Sequence, residues 1–148
     1  MGYTSRFEGH IKVEPNLTLL DVQELNDFHD RSHPEDGTFP GMWCQWIPHK
    51  SGVVVPESWE PGHEKALATW RTLPYDSIAW DGGEKFYDSA QWMSFIIQEF
   101  LQDYTCNGQI FVQGQTPEDR WFIIVINNEV FVKEAKILPA GRARKVEW

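Results

Sequence analysis

Asp81 and Glu84 flank a Gly82-Gly83 turn, and Lys85 follows at once. Two carboxylates held close can divide acid and base roles, provided burial raises the pKa of one so that it can donate a proton. Lys85 would then offset negative charge on a substrate or in a transition state. These three residues define one reading of the chain, a carboxylate-dependent hydrolase acting on a phosphate ester or a sugar bond. A plainer reading accounts for the same residues: Asp81 stabilises the turn, Glu84 favours the dipole of a following helix, and Lys85 is solvated. The plainer reading is preferred. Asp81, Glu84 and Lys85 therefore stand as catalytic candidates, and no catalytic residue is assigned.

His29 and His33 stand four residues apart, the spacing that places two imidazoles on one helix face. A zinc-hydrolase helix would carry Glu directly after the first His, where this chain has Asp30, and Pro34 disfavours helix at His33. No metal site and no cofactor are expected. Nucleophilic catalysis has less support, because no Ser lies in a Gly-x-Ser-x-Gly elbow and neither cysteine sits in an activating context. Cys44 and Cys106 read as buried thiols. The glycine-rich loops that cradle nucleotide phosphates are missing from the sequence.

Eight Trp, nine Phe and four Tyr are many for 148 residues. Core packing accounts for most of them. Trp43, Trp46, Trp59, Trp70 and Trp80 could instead line an aromatic pocket for a small molecule or present interface anchors. Strand alternation would put Trp43 and Trp46 on opposite faces, leaving at least one outside the core. Trp43, Gln45, Trp46, Trp59 and Trp80 are the binding candidates.

The net charge of −9 argues against duplex binding, whose affinity comes largely from cations displacing phosphate counterions. No nucleic-acid partner is expected. Three cations, Arg142, Arg144 and Lys145, stand against Glu147 near the C-terminus, a net +2 that leaves −11 on the rest. No apolar run approaches the ~20 residues of a membrane-spanning helix, and the start lacks a basic-then-apolar signal pattern. The expectation is a cytoplasmic protein with no membrane partner. Met1-Gly2 starts like a myristoylation motif, but Arg6 stands where that motif wants Ser or Thr.

The elements that must position these residues are legible from periodicity. Tyr3 to Val13 alternates apolar and polar residues, as a half-buried strand of an antiparallel sheet does. Thr18 caps a helix to about Asp30, with Asp21 as capping-box partner, Leu17 stapled against Val22, and Val22, Leu25, Phe28 and His29 as its inner stripe. Trp43 to Ile47 and Ile78 to Trp80 read as short strands, and Ala66 to Leu73 as a short helix. Asp88, with Gln91 and a Tyr87–Trp92 staple, starts a second helix whose stripe is Met93, Ile96, Ile97, Phe100 and Leu101. Strands follow at Gln109 to Gln113, Trp121 to Ile126 and Glu129 to Ile137, with Asn127-Asn128 as a tight turn. The prediction is one α+β domain over 1–148, in the order β-α-β-(insertion)-β-α-β-β-β. Five or six mainly antiparallel strands pack against two helices, with an irregular insertion at 49–76 and a flexible basic tail at 139–148.

The segments Trp43-Cys44-Gln45-Trp46 and Trp80-Asp81-Gly82-Gly83-Glu84-Lys85-Phe86-Tyr87 resemble a family of small uncharacterised proteins of bacteriophages and bacteria. Trp92, Phe100-Leu101, Asn107-Gly108 and Gln113-Gly114 continue the likeness, which spans roughly Pro40 to Asn128. In that family the two Trp motifs look adjacent, as in a hairpin, whereas here about thirty residues intervene, which makes Ser51 to Tyr75 an insertion. The resemblance implies no activity, cofactor or catalytic residue. It does imply phage association and a host-directed role. Taken together, the sequence favours a small acidic cytoplasmic module that binds a protein partner, with the hydrolase and the aromatic small-molecule pocket as alternatives.

Overall fold

The computed structural model describes residues 4–52, 74–135 and 144–148. Every pairing in it is antiparallel, and one seven-stranded sheet results. The strands are β1 (Arg6–Glu14), β2 (Trp46–His49), β3 (Ser77–Trp80), β4 (Thr105–Gln113), β5 (Arg120–Ile126), β6 (Glu129–Glu134) and β7 (Arg144–Val146). The helices are α1 (Leu19–His29) and α2 (Ser89–Phe100), and the spatial strand order is β2-β3-β1-β4-β5-β6-β7.

Alternation decides which face is buried. Phe7, Ile11 and Val13 of β1, Ile110 and Val112 of β4, and Ile123 and Val125 of β5 all lie in the core, and their neighbours in sequence do not. The helices cover that face with Val22, Leu25 and Phe28 of α1 and Trp92, Met93, Ile96 and Ile97 of α2. Gly9 and Gly108 allow β1 and β4 to approach closely. A Cβ on either would sit 2.9 Å from a carbonyl oxygen of the facing strand, and both have positive φ.

Thr18 caps α1 as its position predicts, its hydroxyl accepting from the Asp21 amide at 3.1 Å. The Asp21 carboxylate accepts instead from the Tyr104 hydroxyl, which also receives the Thr18 amide at 3.2 Å, so a distant tyrosine completes the cap. Leu17 and Val22 are both buried, as a staple requires.

Four expectations need correction. Asp88 precedes α2 in a left-handed conformation (φ 55°) and its side chain makes no capping bond. Tyr87 is 53% exposed while Trp92 is fully buried, so the expected staple is absent too. What holds the start of α2 in place is packing: Ser89 and Ala90 are buried, and the Trp46 indole donates to the Ser89 carbonyl at 2.9 Å. The sheet has seven strands rather than five or six, because part of the expected flexible tail is strand. Val146, only 9% exposed, pairs with Val130, and Lys145 reaches Glu129 at 3.3 Å and Glu147 at 3.7 Å. Apolar burial and two ion pairs offset the entropy of ordering those residues. Trp43 also lies outside β2, which begins at Trp46 and, as an edge strand, tolerates Pro48.

Of the 49–76 insertion, the described ends are tied together: the Asp76 carboxylate accepts from the Ser51 amide at 2.9 Å and hydroxyl at 2.6 Å. The expected helix at Ala66 to Leu73, Trp59 and Trp70 fall outside the described residues.

Candidate functional site

The turn after β3 holds the residues that sequence reasoning placed first. Gly82 takes φ 85°, a conformation natural to glycine, and Asp81 closes the turn by accepting the Gly83 amide at 2.7 Å on one oxygen. Its other oxygen lies 2.6 Å from His29 Nε2 at the end of α1. His29 Nδ1 in turn lies 2.8 Å from the Asp30 carboxylate. A neutral imidazole has one N–H, so donating to two carboxylates requires the imidazolium. Burial opposes that charge, but the hydrogen bonds to Asp81 and Asp30 outweigh it and raise the His29 pKa above 6.5.

Gln45 braces the same turn. Its carbonyl accepts the Asp81 amide at 3.1 Å, its side-chain oxygen accepts the Trp80 indole N–H at 3.0 Å, and its side-chain nitrogen donates to the Glu84 carbonyl at 2.9 Å. The two side-chain bonds give a reason for glutamine at this position, between Trp43 and Trp46. Chemically the arrangement is a clasp. Both Asp81 oxygens and both His29 nitrogens are engaged, and Glu84 contributes its main chain while its side chain, like Lys85, is exposed. The His29–Asp81 contact itself carried no sequence signal, since 52 residues separate the partners.

His29 and His33 do not share a helix face, because α1 stops at His29. His33 is buried in an aromatic box, with ring centroids 4.2 Å from Phe28, 4.7 Å from Phe39 and 5.4 Å from Trp92. Its Nε2 donates to the Phe28 carbonyl at 3.2 Å. Burial depresses its pKa, more than the Phe28 carbonyl restores. Among the described residues no three His, Cys, Asp or Glu side chains are grouped to hold a metal ion. Cys44 and Cys106 are buried, and burial pushes both thiols up to about 12, with the Asp81 charge adding to the effect at Cys44. Neither is a thiolate nucleophile at neutral pH.

The tryptophan candidates separate by burial. Trp46 is 1% exposed and packs edge-on to Phe7 and Phe86 at 5.5 and 5.1 Å. Trp80 is half-buried on Phe7 at 5.1 Å. Trp43 is 50% exposed and Trp46 buried, but Trp43 lies outside β2, so strand alternation is not what separates them. Two further large apolar residues, Met42 at 42% and Tyr87 at 53%, are exposed. A Cβ on Gly41 would lie 3.8 Å from the Asp88 carboxylate, so the backbone two residues before Trp43 runs close to the residue that follows Tyr87. Only their exposure marks them, and exposure is not a property of residue type.

An open cleft of about 810 Å3 lies between the start of α2 and strands β5 to β7, with Gln91, Trp121 and Arg144 among its walls. None of the sequence candidates lines it.

No protein-family model matches the chain, and no curated protein or solved structure is measurably similar to it.

Proposed function

We propose that the chain is a protein-binding module whose contact surface is the rim formed by Met42, Trp43 and Tyr87. The observation that carries this reading is the exposure of Trp43 and Tyr87, which flank in sequence a turn held by side-chain hydrogen bonds: the Gly83 amide and His29 donate to Asp81, His29 donates to Asp30, the Trp80 indole donates to Gln45, and Gln45 donates to the Glu84 carbonyl. Tryptophan and tyrosine on rigid supports make efficient anchors, because they bury large areas while losing few rotamers. Glu84 and Asp88 are exposed close to Tyr87 in sequence, with one exposed cation, Lys85, between them, and favour a partner with a basic rim. The resemblance to phage proteins points to a protein of the host cytoplasm.

The hydrolase reading has less support, since Asp81 is engaged by His29 and Gly83 rather than poised beside Glu84. An aromatic small-molecule pocket has less still, because Trp46 and Trp80 pack against Phe7. The test is affinity capture from host lysate with the wild-type chain and with Trp43→Ala and Tyr87→Ala. A partner retained by the wild type and lost from both variants, with their thermal stability unchanged, supports the rim. Equal retention by all three sinks it.

A further inference from the structure

Sequence spacing points to His29 and His33, yet the fold brings a different pair of imidazoles together. His10 of β1 and His49 of β2 have ring centroids 6.0 Å apart. His10 precedes buried Ile11 and His49 follows buried Pro48, so alternation puts both on the sheet face turned away from the core. β3 runs between them. Lys12 is in register with Ser77 and Ser77 with His49, so His10 reaches His49 on a diagonal across β3. The β3 residues that alternate onto this face are Ser77 and Ala79, small enough to let the two rings lean toward each other.

Both rings are exposed, and among the described residues neither has a hydrogen-bond or ion-pair partner. His29, by contrast, has both nitrogens engaged by carboxylates, and His33 is buried. The charged neighbours of the pair are held elsewhere: Lys12 lies 3.5 Å from Glu14, Glu8 lies 3.9 Å from Arg6, and Lys50 sits over the Tyr75 ring at 4.7 Å. Two adjacent imidazoles suit Zn2+, Cu2+ or Ni2+, whereas hard cations prefer oxygen donors. An imidazole nitrogen binds Zn2+ at ~2.1 Å, which puts the ion ~3.2 Å from the ring centroid, so two rings at the tetrahedral angle have centroids ~5.2 Å apart. Reaching that from 6.0 Å requires a closing movement of about 1 Å, within the freedom of two exposed side chains with broad χ2 wells.

We propose that His10 and His49 form a two-imidazole site for a late first-row divalent cation such as Zn2+, bridging β1 to the edge strand β2. No third His, Cys, Asp or Glu joins them among the described residues, so water fills the remaining positions and the ion stays open to a donor from another molecule. The net charge of −9 raises the concentration of cations near the surface. Because the ion ties an edge strand of four residues to the centre of the sheet, and the unfolded chain does not hold the two rings together, binding stabilises the fold. The site uses no residue of the Met42, Trp43 and Tyr87 rim and stands independently of the proposal for it.

The test is calorimetric titration of the full chain with Zn2+ at about pH 7.5, above the ordinary imidazole pKa. The wild type is expected to bind with a Kd below about 1 mM. His10→Ala and His49→Ala should each weaken binding by about tenfold or more, because the second imidazole acts at high effective concentration only while the first holds the ion. Zn2+ should raise the Tm of the wild type and leave that of either variant unmoved. In NMR spectra it should shift the imidazole resonances of His10 and His49 and spare those of buried His33. Circular dichroism should be unchanged, because both substituted side chains are on the surface. A wild type that binds no Zn2+ up to about 1 mM overturns the proposal. So does binding that survives in both variants, or binding that depends on His63, outside the described residues, and not on His10 and His49. Trp43→Ala should leave Zn2+ binding unmoved, which keeps this result separable from the rim's.

Discussion

Replacing Asp81 by Asn tests whether the His29 clasp is electrostatic. The asparagine side chain would keep an oxygen for the Gly83 amide, so the turn survives, but the charge that faces His29 Nε2 is lost. The two native side chains are 23% and 21% exposed, shielded enough for a charge-assisted hydrogen bond to contribute about 1.5–3 kcal/mol. Asp30, at 73% exposed, adds little through solvent screening. For a chain of this length the loss corresponds to a fall in Tm of roughly 3–12 °C.

The sign of the pH dependence follows from the raised His29 pKa. The folded chain holds a proton at pH values where the unfolded chain has released it, so the contribution is fully present below about pH 6.5 and is lost as pH rises through the folded pKa. Thermal denaturation of wild type, Asp81→Asn, His29→Ala and the double variant at about pH 6 and about pH 9 reads this directly. Buried His33, with its depressed pKa, works in the opposite sense: below about pH 6.5 the unfolded chain takes up a proton that the folded chain resists. His33 is common to all four proteins, so its effect cancels in the cycle. A coupling of about 1 kcal/mol or more at the lower pH that shrinks at the higher is expected. Additive single losses, or a coupling that does not change with pH, would refute the clasp.

Two further outcomes are expected. Asn127 and Asn128 take φ 46° and 72°, so turn chemistry alone says that Asn128→Gly should stabilise the β5–β6 hairpin. The Asn128 side chain, however, accepts the Cys106 amide at 2.6 Å and donates to the Tyr104 carbonyl at 2.8 Å, so the substitution should destabilise by about 1–2 kcal/mol in a urea titration; a gain in stability would contradict this. With a thiol reagent near neutral pH, neither Cys44 nor Cys106 should react in the native state and both should react once unfolded. Labelling of either in the native protein at the rate of a free thiol would show the burial to be wrong.

Much of the architecture was legible in periodicity, because alternation and helical spacing are local properties of the chain. The order of elements from β1 to β6, the Thr18 cap and the Asn127-Asn128 turn all follow from residues within a few positions of each other. The α2 start was misread for the same reason: Asp88, Gln91, Tyr87 and Trp92 carry a local capping pattern, and the burial of Ser89 and Ala90 beneath Trp46 overrides it. β7 was hidden because three residues of a basic segment carry no strand period, and only a neighbouring β6 edge makes extended structure favourable there.

Sequence by itself determined the α+β class and the half-buried sheet, both consequences of side-chain period. Tertiary structure alone decided that Asp81 faces His29 rather than Glu84, that Gln45 braces the turn, and that Trp43 and Tyr87 are exposed. Those are relations between residues far apart in the chain, and no local spacing encodes which distant side chain will arrive within hydrogen-bonding distance.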